Sequence, residues 1–140
     1  MEEYHRTWKR GGCHVERTQL RAPERIRTWA TILGSVAMRL ARLTHLSRTA
    51  PEQPADRERT RDELDALILL HRPPGWRPGE TPTLGQAMRW VGVLGGHSGR
   101  PSAPPAGQTV LRRGFEQVTT VAAALRAQRE LLSKTLADEK

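Results

Sequence analysis

The sequence predicts a mainly α-helical protein, and three observations lead to this prediction. Apolar residues recur at intervals of three and four over several segments, which is the spacing of one helix face. Stretches rich in proline and glycine separate these segments and cannot continue a helix. No segment shows the strict alternation of apolar and polar residues that a half-buried strand requires.

The clearest helical pattern lies in residues 23–48. Pro23 suits the first position of a helix, where its missing N–H has no partner to lose. Residues 1–10 are also predicted to be helical, but short and strongly charged. Gly11 and Gly12 end this segment, because glycine accepts the left-handed conformation at a helix end.

Three further helices are predicted after a proline-containing stretch. The first covers residues 61–71, with acidic residues in its first turn, where they suit the helix dipole. The second covers residues 84–94, with Thr83 as its N-cap. The third and longest covers residues 108–137.

The longest helix carries a repeated apolar seam. One row of residues at intervals of seven consists of Leu111, Val118, Leu125 and Leu132, and an offset row contains Phe115, Ala122 and Leu136. Such a repeat is typical of helices that pack together, and one interpretation is a homodimer formed through this helix. The other is an amphipathic helix that closes a bundle within one chain.

A division of the chain follows from these patterns. Residues 49–58 hold two prolines and several charges without an apolar stripe, which is typical of a linker. We therefore predict one unit at residues 1–48 and a second, helical unit at residues 59–140.

The charge of the chain indicates the class of its partner. Twenty-three Lys and Arg against 15 Asp and Glu give a formal net charge of +8. A polyanion is the expected partner, and nucleic acid is the commonest one; the alternative is a solvated, arginine-rich surface. A single cysteine excludes an intrachain disulfide, and no apolar run is long enough to span a bilayer. We therefore expect a cytoplasmic protein that does not bind a membrane.

The first residues combine a carboxylate with cations. On a helix, Glu2 and Lys9 share a face two turns apart, with Arg6 between them. A carboxylate in such a position is a ligand for a divalent cation, and the two cations suit a phosphate. The alternative is an ordinary solvent-facing helix, since one carboxylate cannot form a two-metal site.

These residues resemble a known motif. MEEYHRTWKRGG is similar to the segment I-E-E-[FY]-H-x-x-W-K-x-G of bacterial cut-and-paste transposases of the insertion-sequence-four family, the Tn-five-like group. In their signature Y-x2-R-x3-E-x6-K, Glu2 matches the acid and Lys9 the lysine. The tyrosine and arginine of the signature would precede Met1.

Three later segments resemble the same family in the same order. They are CHVERTQLRAPERIRTWATILGSVAMRLARLTHLSR, PTLGQAMRWVGVLGGHSGR and VLRRGFEQV. His97 stands where the family usually has an aromatic residue, and Arg112 stands where tryptophan is common. The resemblance covers nearly the whole chain.

The resemblance implies an architecture and a chemistry. Residues 1–48 would be the tail of a ribonuclease-H-like catalytic domain, and residues 59–140 a helical dimerisation domain. The family uses Mg²⁺ or Mn²⁺ to cut and join transposon-end DNA. Glu2 would be a catalytic metal ligand. The residues in contact with DNA would be Arg6, Lys9, Arg10, Arg17 and Arg21, of which Lys9 also belongs to the catalytic signature.

We therefore expect a C-terminal transposase fragment that is not catalytically competent alone, because the two catalytic aspartates of the family have no counterpart in these 140 residues. Its partners would be DNA, a second copy of the chain and full-length transposase. One alternative is a regulatory DNA-binding or dimerising protein that inhibits full-length transposase. A third hypothesis is an unrelated basic helical DNA-binding protein.

Overall fold

The computed structural model describes residues 22–100 and 102–138, and within them the chain is mainly helical. Its elements are α1 at Pro23–Thr49, a 3₁₀ turn at Ala55–Arg57, α2 at Arg61–His71, α3 at Leu84–Leu94 and α4 at Gln108–Asp138. The prediction of a mainly α-helical chain is confirmed for these residues, and the four predicted helices in this part agree with the observed bounds to within one residue. The helix predicted at residues 1–10 lies outside the described residues.

The two short helices begin in the same way. The Thr60 hydroxyl accepts a hydrogen bond from the Glu63 N–H, and the Glu63 carboxylate accepts one from the Thr60 N–H at 3.0 Å. Thr83 and Gln86 form the equivalent reciprocal pair at the start of α3. Each pair satisfies two backbone donors that a helix start leaves free. The prediction of Thr83 as an N-cap is confirmed.

The core lies between α2, α3, α4 and the C-terminal half of α1. Its largest fully buried side chains are Leu43, Leu67, Leu84, Val91, Val118 and Pro82. Because Leu43 packs in the same core as Leu67 and Val91, the end of α1 is continuous with the later helices. The apolar stripe of α3 faces this core, whereas those of α1 and α4 are buried over only part of their length.

The segment predicted to be a linker is packed against the start of α3. Ala55 is fully buried, and its N–H donates to the Pro82 carbonyl at 2.9 Å. In return the N–H of Leu84 donates to the Gln53 carbonyl at 2.8 Å. An isolated antiparallel bridge joins Pro54 to Thr83, and no β-strand occurs elsewhere in residues 22–100 and 102–138. The division of the chain at residues 49–58 stays a prediction.

Two helical ends extend beyond the core. On α1, Ile32 and Val36 are exposed at 57% and 50%. On α4, every side chain from Arg126 to Ala137 is exposed. The apolar seam of α4 is therefore buried in its first part and exposed in its last part: Val118 packs inside the bundle, whereas Leu132 remains 57% exposed. None of the described helices has the length and apolar character needed to cross a membrane.

Candidate nucleic-acid interface

A cleft of about 320 Å³ lies where the end of α1 meets α3 and the loop that follows α3. Three arginines line it: Arg48 from the last turn of α1, Arg89 from α3 and Arg100 from the loop. No aspartate or glutamate is among the lining residues. Three separate chain segments therefore bring positive charge to one concave surface.

The guanidinium groups of these arginines are available to a ligand. None of the three forms an ion pair with another residue of the described part, and all three are exposed. The arginines that do pair with carboxylates are Arg39, Arg42, Arg59, Arg61, Arg112, Arg126 and Arg129. Free, planar guanidinium groups suit the oxygens of a phosphate, to which they can donate two parallel hydrogen bonds.

The hydroxyl groups of the same cleft are already occupied as donors. Thr44 donates to the Leu40 carbonyl at 2.8 Å, and Ser47 donates to the Thr44 carbonyl at 2.9 Å. Both hydroxyls can still accept a hydrogen bond but have no proton left to give. The donors that an anion would meet here are thus mainly arginine N–H groups.

The loop that carries Arg100 is held by His97. The imidazole Nδ1 accepts the Gly99 N–H at 3.0 Å, while Nε2 lies 2.8 Å from the Pro104 carbonyl. This arrangement requires the neutral ring with its proton on Nε2. Gly99 has a φ of +68°, which a side chain would disfavour. His97 therefore has a local role at a position where the resembling family usually has an aromatic residue.

A second group of charges lies at the junction of α1, α2 and α4. Glu63 is buried and accepts hydrogen bonds from Arg39 at 2.7 Å and from the Thr60 N–H at 3.0 Å. Burial raises the pKa of Glu63, but the charges of Arg59 and Arg39 and these hydrogen bonds outweigh it, so the pKa lies below its ordinary value. Burial also lowers the pKa of Arg59 to about 10, against the opposing effect of Glu63.

A third polar group ties α4 to α2. Arg126 Nε lies 3.2 Å from a carboxylate oxygen of Asp62, and Arg129 pairs with both Asp62 and Asp65. Arg129 is the residue that interrupts the apolar seam of α4. Beyond it, three leucines remain exposed at 57–66%: Leu131, Leu132 and Leu136.

The site residues predicted from the sequence all lie outside the described residues. These are Glu2 and Lys9 for catalysis, Glu2 for the metal, and Arg6, Lys9, Arg10, Arg17 and Arg21 for DNA. Within residues 22–100 and 102–138, no three His, Cys, Asp or Glu side chains are grouped in a way that would hold a metal ion. The described part therefore adds no ligand set to the predicted Mg²⁺ or Mn²⁺ site.

Sequence reasoning did not identify the basic cleft. None of Arg48, Arg89 and Arg100 was among the site residues predicted from the sequence. The signal present in the sequence was weak, because the three arginines are far apart along the chain and only the packing of α3 against α1 brings them together.

Comparison with models of protein families found no match, and no curated protein is similar to the sequence at a significant level. The family resemblance of this chain therefore rests on its motifs alone.

Proposed function

We propose that this chain is a DNA-binding, self-associating C-terminal region of a cut-and-paste transposase of the insertion-sequence-four family, acting in the cytoplasm. The observation that carries the DNA-binding part is the cleft in which Arg48, Arg89 and Arg100 converge without a neighbouring carboxylate. The ordered motif resemblance supplies the enzyme class.

The chemistry of the cleft favours the sugar–phosphate backbone over the bases. Guanidinium groups on three segments form a charged surface rather than a single protruding reader of base edges. Contacts of this kind position a protein on DNA and supply affinity that depends strongly on salt. The net charge of +8 adds long-range attraction for the duplex.

The catalytic part of the proposal rests on the N-terminal motif. Residues 1–48 would form the tail of a ribonuclease-H-like domain, in which Glu2 holds a divalent ion and Lys9 and Arg6 contact phosphate. When bound, Mg²⁺ or Mn²⁺ supplies activation of the attacking water and stabilisation of charge on the phosphate. Arg10, Arg17 and Arg21 would extend the basic track away from the scissile bond.

The self-association part rests on the free end of α4. Leu132 and Leu136 continue the seam to which Val118 and Ala122 belong, yet they are exposed and are not part of the buried core. Exposed leucines in a helical repeat are typical of a surface that pairs with another helix. A second copy of α4 offers the matching seam.

DNA binding can be tested by fluorescence anisotropy with a labelled duplex over a series of salt concentrations. The decisive variant replaces the three cleft arginines, as Arg48→Gln, Arg89→Gln and Arg100→Gln. We expect weaker binding at every salt concentration. The binding constant of the parent protein should decrease steeply with salt concentration. In the variant, the slope of log K against log salt should be less negative by about 2 to 3, since each phosphate contact contributes about 0.9.

A matched control removes the same charge elsewhere, as Arg57→Gln, Arg72→Gln and Arg77→Gln. These arginines do not line the cleft and form no ion pair with a described residue. The control should lose affinity only through net charge. Equal losses in the two variants would show that the cleft has no special role in binding DNA.

A second candidate function is regulation of full-length transposase through mixed dimers. The exposed leucines of α4 favour it, because they would pair with the same helix of the complete enzyme. In this case addition of the chain to an active transposase should reduce strand transfer in proportion to mixed-dimer formation, and Leu132→Glu with Leu136→Glu should abolish the effect.

A further inference from the structure

A second cleft, of about 410 Å³, lies between α2 and the proline-rich loop that precedes α3. It shares no lining residue with the basic cleft. Both of its sides contribute apolar side chains, which are Leu64, Ile68, Leu69, Trp76, Pro78 and Pro82. The cleft therefore offers an apolar surface to a ligand at a place where the chain is otherwise polar.

The charged residues of this cleft are mostly acidic, and we call it the acidic cleft. They are Asp56, Arg61, Asp65 and Glu80. Asp65 pairs with Arg61 at 3.2 Å and also with Arg129, so its charge is neutralised. Asp56 and Glu80 are exposed and form no ion pair with a described residue. Two uncompensated negative charges thus border this cleft, although the chain as a whole carries a net charge of +8.

The arginines nearest to these two carboxylates in sequence do not neutralise them. Arg57 follows Asp56 and Arg77 precedes Glu80 by three residues, yet neither arginine lines the cleft or pairs with a carboxylate of the described chain. Only the backbone N–H of Arg77 approaches Glu80, at a long 3.5 Å from Oε2. Both carboxylates therefore keep acceptor sites for a cationic ligand.

Trp76 gives the acidic cleft an aromatic wall that is held in place. Its ring centre lies 5.3 Å from that of Trp90 in an edge-to-face arrangement, and His71 stacks on Trp90 at 5.4 Å. Trp76 is half-buried, and Leu69 of the same cleft is 52% exposed. An indole ring attracts a guanidinium or ammonium group, and the aliphatic stem of such a residue covers apolar surface.

We propose that the acidic cleft is a docking site for an extended, arginine-containing segment of another protein. One guanidinium group pairs with Asp56 and a second with Glu80, while their aliphatic stems lie against Trp76 and Leu69. Charge complementarity selects a basic partner, because these are the two carboxylates of the cleft without an ion pair in the described part of the chain. Arginine fits better than lysine, since its planar group donates two parallel hydrogen bonds to a carboxylate and stacks on aromatic rings. DNA, the partner proposed for the basic cleft, would be repelled here.

The test is fluorescence anisotropy of the full chain with a short labelled peptide that carries two arginines among glycine and proline residues. Two control peptides replace both arginines, one with lysine and one with citrulline, the neutral isostere of arginine. We expect saturable one-to-one binding of the arginine peptide, weaker binding of the lysine peptide and about tenfold weaker binding of the citrulline peptide. Equal affinity for the arginine and citrulline peptides would overturn the proposal, and so would the lack of saturable binding of the arginine peptide.

Two variants locate the site. Asp56→Asn with Glu80→Gln removes both exposed charges without a change of shape, and should weaken binding of the arginine peptide about tenfold. Trp76→Leu keeps an apolar side chain but removes the indole ring, and should weaken binding about fivefold. An unchanged affinity in both variants would place the peptide elsewhere and refute the proposal.

The matched control for charge is Glu52→Gln with Glu130→Gln. Both residues are exposed, lie outside the acidic cleft and form no ion pair with a described residue. This control should bind the arginine peptide like the parent protein, and equal losses in the two double variants would refute a specific site. If neutralising Asp56 and Glu80 instead abolishes self-association in sedimentation velocity and the parent protein binds no peptide, the occupant is a second copy of the chain and the proposal is wrong.

Discussion

Gly114 on α4 lies directly against the backbone of Val91 on α3. A Cβ atom built on Gly114 would be 2.0 Å from the Val91 carbonyl oxygen, and one built on Gly95 would be 1.9 Å from the Val110 carbonyl oxygen. Two glycines on facing segments thus allow the helices to approach backbone to backbone. This close approach fixes the distance between α3 and α4, and hence the position of Leu111 and Val118 in the core.

The first prediction concerns this crossing. Gly114→Ala should lower the free energy of unfolding by about 2 kcal/mol, because overpacking of a tight contact outweighs the better helix propensity of alanine. Urea denaturation followed by circular dichroism measures the difference. Gly107→Ala is the control, since a Cβ there meets no atom within 4 Å. A Gly114→Ala protein as stable as the parent would contradict the observed packing.

The second prediction concerns acid stability. The folded-state pKa of Glu63 lies below its ordinary value of 4.5, so its ionised form stabilises the fold. This stabilisation is complete above about pH 4.5 and is lost as the pH falls through the folded-state pKa. In Glu63→Gln, the loss of stability between pH 5 and pH 3 should be smaller than in the parent protein, because this position no longer takes up a proton. Parallel stability curves for the two proteins would refute the assignment.

The third prediction concerns self-association. The chain should form dimers at tens of micromolar in sedimentation velocity, and Leu132→Glu with Leu136→Glu should yield monomers of unchanged helicity, because both side chains are exposed in a single chain. Ala123→Glu with Ala127→Glu places the same charges on the outer face of α4 and should leave the dimer intact. A parent protein that stays monomeric would exclude this surface as a dimer interface.

The fourth prediction concerns catalysis. The proposed match of Glu2 gives a polypeptide of these 140 residues one of the three carboxylates that the resembling family requires, so we expect no two-metal site to assemble. Incubation with transposon-end duplexes and Mg²⁺ or Mn²⁺ should give no strand cleavage on a sequencing gel. Nicking by the parent protein that disappears in Glu2→Ala would overturn this expectation.

Local rules were sufficient to predict the helices. Thr83 caps its helix as predicted, because capping depends on residues three apart. The same reasoning could not foresee that the predicted linker buries Ala55, since this burial depends on Pro82, which is far along the chain. It also left two interpretations of the α4 seam. Val118 is buried, as expected for a helix that closes a bundle within one chain. Leu132 is exposed, because the other described helices end before they reach the last turns of α4.

The candidate site was less predictable for the same physical reason. Charge composition predicted a polyanion as partner without showing where it would bind. The convergence of Arg48, Arg89 and Arg100 on one cleft depends on tertiary packing. The periodicity of the sequence shows which face of a helix is apolar. A cleft is formed between helices, so the periodicity of one helix does not reveal it.

The pairing of Arg126 and Arg129 with Asp62 and Asp65 has a consequence for how the chain responds to its solution. These arginines are half exposed or more, so dissolved ions weaken their attraction to α2. Rising ionic strength should therefore release the last turns of α4, which exchange their amide hydrogens faster, while the amide of Leu67 stays protected. The same ions would compete with DNA, the proposed partner, for the basic cleft. Salt concentration thus acts on both surfaces at once, although they are built from different helices.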